Sequence, residues 1–218
     1  MRSLILFLVV SLMGCEKPVA SDPLPVTGAA AATSATPLEG KAKALVANPD
    51  FRNASWGLSR ADVGMDGEIL DSGLQDVVVL FSAESCTVAG LQCKAVYYFY
   101  KDELAQGRFL ITEEHSNKTA FITDFNNLVE KLTVKYGTPT KQDTIWVNNL
   151  YKDDPADWGM AVSIGHMMKV ASWTTDRTQV VIGLTGDNYH IVLALEYHSL
   201  AHQSQLDAAV NQAATSGL

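Results

Sequence analysis

The chain has 218 residues, 47% of them hydrophobic, with 16 basic against 24 acidic side chains and a formal charge of −8. That length can bury a real core without metals or many disulfides, and it suits one folded domain of ordinary size. The acidic balance excludes the electrostatic footprint of a nucleic-acid binder and leaves no charge-driven attraction to anionic headgroups.

Met1 to Cys15 begins with a basic Arg2 and an apolar run from Leu4 to Met13, then closes on Leu12-Met13-Gly14-Cys15. The run is too short for a membrane span of ~20 residues and has the dimensions of a cleavable signal segment. Its ending resembles the lipobox of bacterial lipoprotein signal peptides. The resemblance implies cleavage after residue 14 and acyl chains, palmitate among them, on Cys15. Each buried CH₂ would contribute ~0.8 kcal/mol, so two or three chains give a nearly permanent anchor. In such lipoproteins an aspartate after the cysteine favours retention at the inner membrane. Glu16 stands there instead, which points to the outer membrane and its periplasmic face.

Residues 15–47 are rich in Ala, Pro, Ser and Thr, and Pro18, Pro23, Pro25 and Pro37 forbid a continuous helix. They read as a disordered tether, and a random coil of that length spans ~30 Å. The folded domain is expected over 48–200. Ser59, three residues before Asp62, marks a helix start, with Gly64 and Gly67 limiting that helix to about two turns. Val77–Phe81 and Ala95–Tyr100 are β-branched and aromatic runs that read as strands. Between them Cys86 and Cys93 are spaced for neither a redox CxxC pair nor a zinc knuckle. Export makes a structural disulfide the expected state.

Lys101-Asp102 predicts a turn, and Leu104–Thr112 alternates as a third strand, with Ala105, Gly107, Phe109 and Ile111 facing away from Gln106 and Arg108. Ile122, Phe125, Leu128, Val129, Leu132 and Tyr136 then fall at helical spacing. Asn117 or Thr119 caps that helix, and Gly137 with Pro139 ends it. Thr144–Asn148 is a short strand, and the polar stretch through Asp153, Asp154 and Pro155 a loop. Val170–Thr175, Gln179–Thr185 and His190–His198 are three further strands, the last two joined by a Gly186-Asp187-Asn188 turn. Residues 201–218 read as a tail with at most a weak helix.

The pattern Trp56-Gly57-Leu58-Ser59…Val63, paired with Leu132…Lys135-Tyr136-Gly137-Thr138-Pro139, resembles one found in uncharacterised bacterial secreted proteins and lipoproteins. The order of a helix and antiparallel strands, then a helix and more strands, is distantly similar to the outer-membrane assembly lipoproteins of the SmpA/BamE kind. It is also similar to the β-lactamase-inhibitor proteins, which hold two such units. The resemblance implies an α+β fold, an antiparallel sheet of about six to seven strands with helices mainly on one face, in two α-βββ-like halves. It transfers no binding residues.

No catalytic motif stands out. The serines form no nucleophile elbow, no glycine loop cradles phosphate, and no cofactor is expected. His190, Glu196 and His198 share one strand face, where a two- or three-ligand zinc site is conceivable, yet strand alternation on a solvated face is enough by itself to explain them and is the expected reading. The expected function is non-catalytic binding of a periplasmic or outer-membrane protein. The contact is expected on the sheet face not covered by helix, at Tyr98, Arg108, His190, Glu196 and His198, a mixture of aromatic, arginine and histidine groups suited to interface centres. The alternative is a small-ligand or metal-binding lipoprotein, which a deep pocket with convergent polar groups would favour.

Overall fold

One helix leads into four antiparallel strands, and the arrangement then repeats. The computed structural model describes residues 48–216. The expected signal peptide, the acylated Cys15 and the tether lie outside the described residues. The first half holds α1 (Arg60–Val63) and strands β1 (Gly67–Asp71), β2 (Val77–Val88), β3 (Leu91–Tyr100) and β4 (Glu103–Ile111). The second holds α2 (Ala120–Tyr136), β5 (Lys141–Trp146), a 3₁₀ turn at Pro155–Asp157, α3 (Trp158–Ser163), β6 (Met167–Thr174), β7 (Thr178–Asp187) and β8 (His190–Ser199). A last helix, α4 (Gln203–Ser216), closes the described chain.

All eight strands join one antiparallel sheet in the order β1-β2-β3-β4-β8-β7-β6-β5. Each half is therefore a four-stranded meander, and the two meet where β4 pairs with β8, Phe109 opposite Leu195. The α+β class is as expected, with eight strands rather than six or seven and four per half rather than three. β1 escapes a pattern reading because Gly-Glu-Ile-Leu-Asp has too few β-branched residues to stand out. β2 and β3 run further than their apolar cores suggest, through Cys86 and Cys93. These two stand directly opposite each other in register, Cα atoms 5.0 Å apart, and join as a cross-strand disulfide.

Tight turns set the register of the hairpins. Ala89-Gly90, Lys101-Asp102 and Asn188-Tyr189 all take positive φ at both central positions, the twist that suits two-residue hairpins. The β7–β8 turn thus lies one to two residues beyond the expected Gly186-Asp187-Asn188. In α1 the Asp62 amide donates to the Ser59 hydroxyl at 3.2 Å, and left-handed Gly64 (φ 58°) ends the helix after one turn.

The main core lies on the first face of the sheet. Ile122, Phe125, Leu128, Val129 and Leu132 of α2 pack with Leu193 and Leu195 of β8, Val180, Ile182 and Leu184 of β7 and Trp173 of β6. Full burial of such side chains contributes ~1.5–3 kcal/mol each. Over the first half, with only one turn of helix available, Phe51 fills the space instead. Its ring meets Tyr97, Phe109 and Tyr197 at centroid distances of 5.1, 4.8 and 5.6 Å. It rests on Gly107, where a Cβ would overlap the Phe51 ring.

Two departures concern the second face. Tyr98 pairs with Gln106 and Phe99 with Leu104, so Ala105 is a bulge residue. The alternation expected from Ala105 onward breaks there, and Ala105 joins Val77, Leu206 and Ala209 in a small second core. The expected tail is accordingly the 14-residue helix α4, held to this face by Leu206 and Ala209.

Candidate functional site

Strand register gathers four of the five residues expected on the binding face. Arg108 stands opposite Glu196, Gln106 opposite His198, and Tyr98 opposite Gln106. The Arg108 guanidinium donates to Glu196 Oε1 at 2.7 Å, His198 Nε2 lies 3.0 Å from Glu196 Oε2, and Arg108 sits 5.4 Å from the Tyr98 ring centroid. Burial alone would raise the Glu196 carboxyl, but the His198 hydrogen bond and the Arg108 charge hold it below the usual carboxylate value. Burial pushes the Tyr98 phenol up.

The strip is closed rather than open. Tyr98 is 3% exposed and Arg108 9%, and Glu196 and His198 are largely covered. The expectation of an exposed binding face at Tyr98 and Arg108 is therefore corrected. The physical reason lies in the neighbours: Val79, Val96, Val170 and Ala194 occupy this face and are buried too. β2 and β3 read as nearly continuous apolar runs because both of their faces are buried. In such surroundings a guanidinium persists only when paired, and here its Nε is left without a partner.

His190 does not join the strip. It is exposed at the start of β8, six residues from Glu196 and so ~20 Å away along the strand. The conceivable His190–Glu196–His198 zinc site fails on that distance, and among the described residues no three His, Cys, Asp or Glu side chains converge to hold a metal.

One hydrogen-bonded chain escaped the sequence reading. Ser199 Oγ lies 2.8 Å from His202 Nδ1, and His202 Nε2 lies 3.0 Å from Glu103 Oε2. Residue types and spacing evoke a nucleophile, a base and its orienting acid. Ser199, however, is 1% exposed and beyond the reach of a substrate. The chain fastens the start of β4, the end of β8 and the entry to α4.

The fold, both of these networks and three of the hairpin turns are thus accounted for without a relative. Comparison with protein-family models, with curated proteins and with solved structures finds no match.

What the surface offers is an edge. A groove of about 280 Å³ beside the Ala89-Gly90 turn and α2, lined by Leu91, Asp124, Asn127, Glu130, Lys131 and Val134, is shallow and open to solvent. The two edge strands of the sheet differ. β5 carries Lys141, paired with Asp143 at 3.2 Å, and the neighbouring Lys169 donates to Thr144. Lysine on an edge discourages further strand pairing. β1 carries none. The Ala83 amide donates to the Asp66 carbonyl, and the register runs Gly67↔Ser82 to Asp71↔Val78. Asp66, Glu68 and Leu70 therefore spend their backbone groups on β2, while those of Gly67, Ile69 and Asp71 point outward. Ile69 is 60% exposed, and no strand lies beyond β1 among the described residues. The signal was present in the sequence: a large apolar residue amid exposed acidic ones. It went unread because β1 itself was not expected.

Proposed function

We propose that this chain is a lipid-anchored protein of the bacterial cell envelope, held at the outer membrane on its periplasmic side, and that it acts without catalysis by binding another envelope protein. The open edge of β1 carries this reading. It offers backbone donors and acceptors that pair with no strand among the described residues, beside an exposed Ile69, whereas the strip first expected to make the contact is buried. Strand addition at such an edge supplies main-chain hydrogen bonds for affinity and side-chain positions for selectivity. The Leu12-Met13-Gly14-Cys15 ending supports the anchor, and a tether of some thirty residues would let the domain reach a partner away from the bilayer.

The test is a photo-crosslinking amino acid placed at position 69 in the full-length protein in cells, with position 144 on β5 as control. The expected result is a discrete adduct with one envelope protein from position 69 and none from position 144. Equal adducts from both positions, or none from 69, would sink the reading.

A further inference from the structure

We infer that the β1 edge selects a basic, extended segment, in which lysine or arginine alternates with apolar residues; this rests on the proposed strand addition and names its partner's chemistry. From Ala61 to Cys93 the chain has six carboxylates and no lysine or arginine. Asp66, Glu68 and Asp71 lie on or beside β1, with Asp76 and Glu84 on the flanking turn and strand, and all five are exposed. None of the five is in an ion pair among the described residues. Asp102, in the β3–β4 turn, is taken by Arg60 at 2.6 Å.

The charge decides between occupants. A second copy of β1, laid antiparallel about Ile69, would set Glu68 opposite Leu70 and diagonal to the other copy's Glu68, and would crowd six carboxylates along one seam with no cation on either strand; like charges so close across a strand pair are destabilising. An acidic strand is refused for the same reason. A basic strand sets its cations against Asp66 and Glu68 on one face while its backbone satisfies the outward groups of Gly67, Ile69 and Asp71, and its apolar residues cover Ile69 on the other face. Complementary charge of this kind raises the association rate and rejects wrong partners more than it adds affinity.

Two peptides test this on the full-length protein in detergent micelles: an alternating Val-Lys octapeptide and its Val-Glu counterpart, both fluorescently labelled and followed by anisotropy. The Val-Lys peptide should bind at least about tenfold tighter, and raising the salt from about 0.05 to 0.5 M should weaken it. Ile69→Pro removes an outward N–H but no β1–β2 hydrogen bond, a placement in which proline is tolerated. That variant should lose binding by about tenfold or more with an unchanged melting temperature. If proline perturbs the fold, the double variant Glu68→Lys with Asp71→Lys replaces it, and the two peptides should exchange preference. Equal binding of both peptides, no binding of Val-Lys, or binding indifferent to the substitutions would overturn the inference. A crosslink from position 69 to an acidic or helical segment would overturn the charge selection alone and leave the edge as the binding site.

Discussion

Glu196 is the residue on which the second face depends. It satisfies Arg108 and His198 together, and among the described residues no other carboxylate pairs with Arg108. Replacing it by glutamine leaves a buried guanidinium uncompensated, so Glu196→Gln is expected to cost about 3–5 kcal/mol near neutral pH. Because the fold holds this carboxyl below its ordinary value, its ionisation favours the folded state above the unfolded pKa of roughly 4.3. That contribution is lost as the pH falls through the lower, folded value. Denaturant melts from pH 7 to 3 should therefore show the gap between wild type and variant narrowing below about pH 4.5. A gap constant with pH would detach the stability from Glu196 ionisation. At Gly107 the constraint is steric. A methyl group there must displace Phe51 from three aromatic neighbours, and Gly107→Ala is expected to destabilise by about 1–3 kcal/mol, read as a lower denaturation midpoint at unchanged m-value.

The elements were legible wherever one periodicity ran unbroken. The stripe from Ile122 to Leu132 gave α2 its full length, because a single buried face imposes a single period. Three strands of the second half fell close to their observed limits for the same reason. Where tertiary packing overrides local pattern, the sequence was mute: the bulge at Ala105 and the burial of Arg108 both depend on residues far away in the chain. α4 has no strong stripe of its own and is helical because Leu206 and Ala209 find Val77 and Ala105. Turn chemistry offers a test at this scale. Ala89 takes φ 54° ahead of Gly90, a conformation that costs an alanine roughly 1 kcal/mol. Asparagine tolerates it and favours this hairpin type. Ala89→Asn should raise stability by about 0.5–1 kcal/mol, and a melting temperature unchanged or lowered would contradict the assignment of the turn.

At the scale of the whole molecule, sequence and structure speak to different parts of the chain. The proposed anchor rests on a sequence motif alone, Leu12-Met13-Gly14-Cys15, while the domain is legible only as a fold and its outward-facing chemistry emerges once β1 is placed at an edge. Cys15→Ser should abolish incorporation of labelled palmitate and leave the precursor uncleaved, and equal labelling of the variant would remove the anchor. Such a loss would leave the domain itself intact, since its core is built from Phe51 onward.

The strand order carries one more consequence, for the path by which the chain folds. Every strand pairs with its neighbour in sequence except at the single contact of β4 with β8. Five of the seven strand pairings thus close loops of two to five residues at small entropic cost, β5 and β6 are joined across α3, and one pairing must bring together segments some eighty residues apart. Each meander can organise by itself, so refolding should be limited by formation of this seam. Trimming the seam at Phe109 or Leu195 should slow folding, whereas equivalent trimming on β2 or β6 should mainly hasten unfolding.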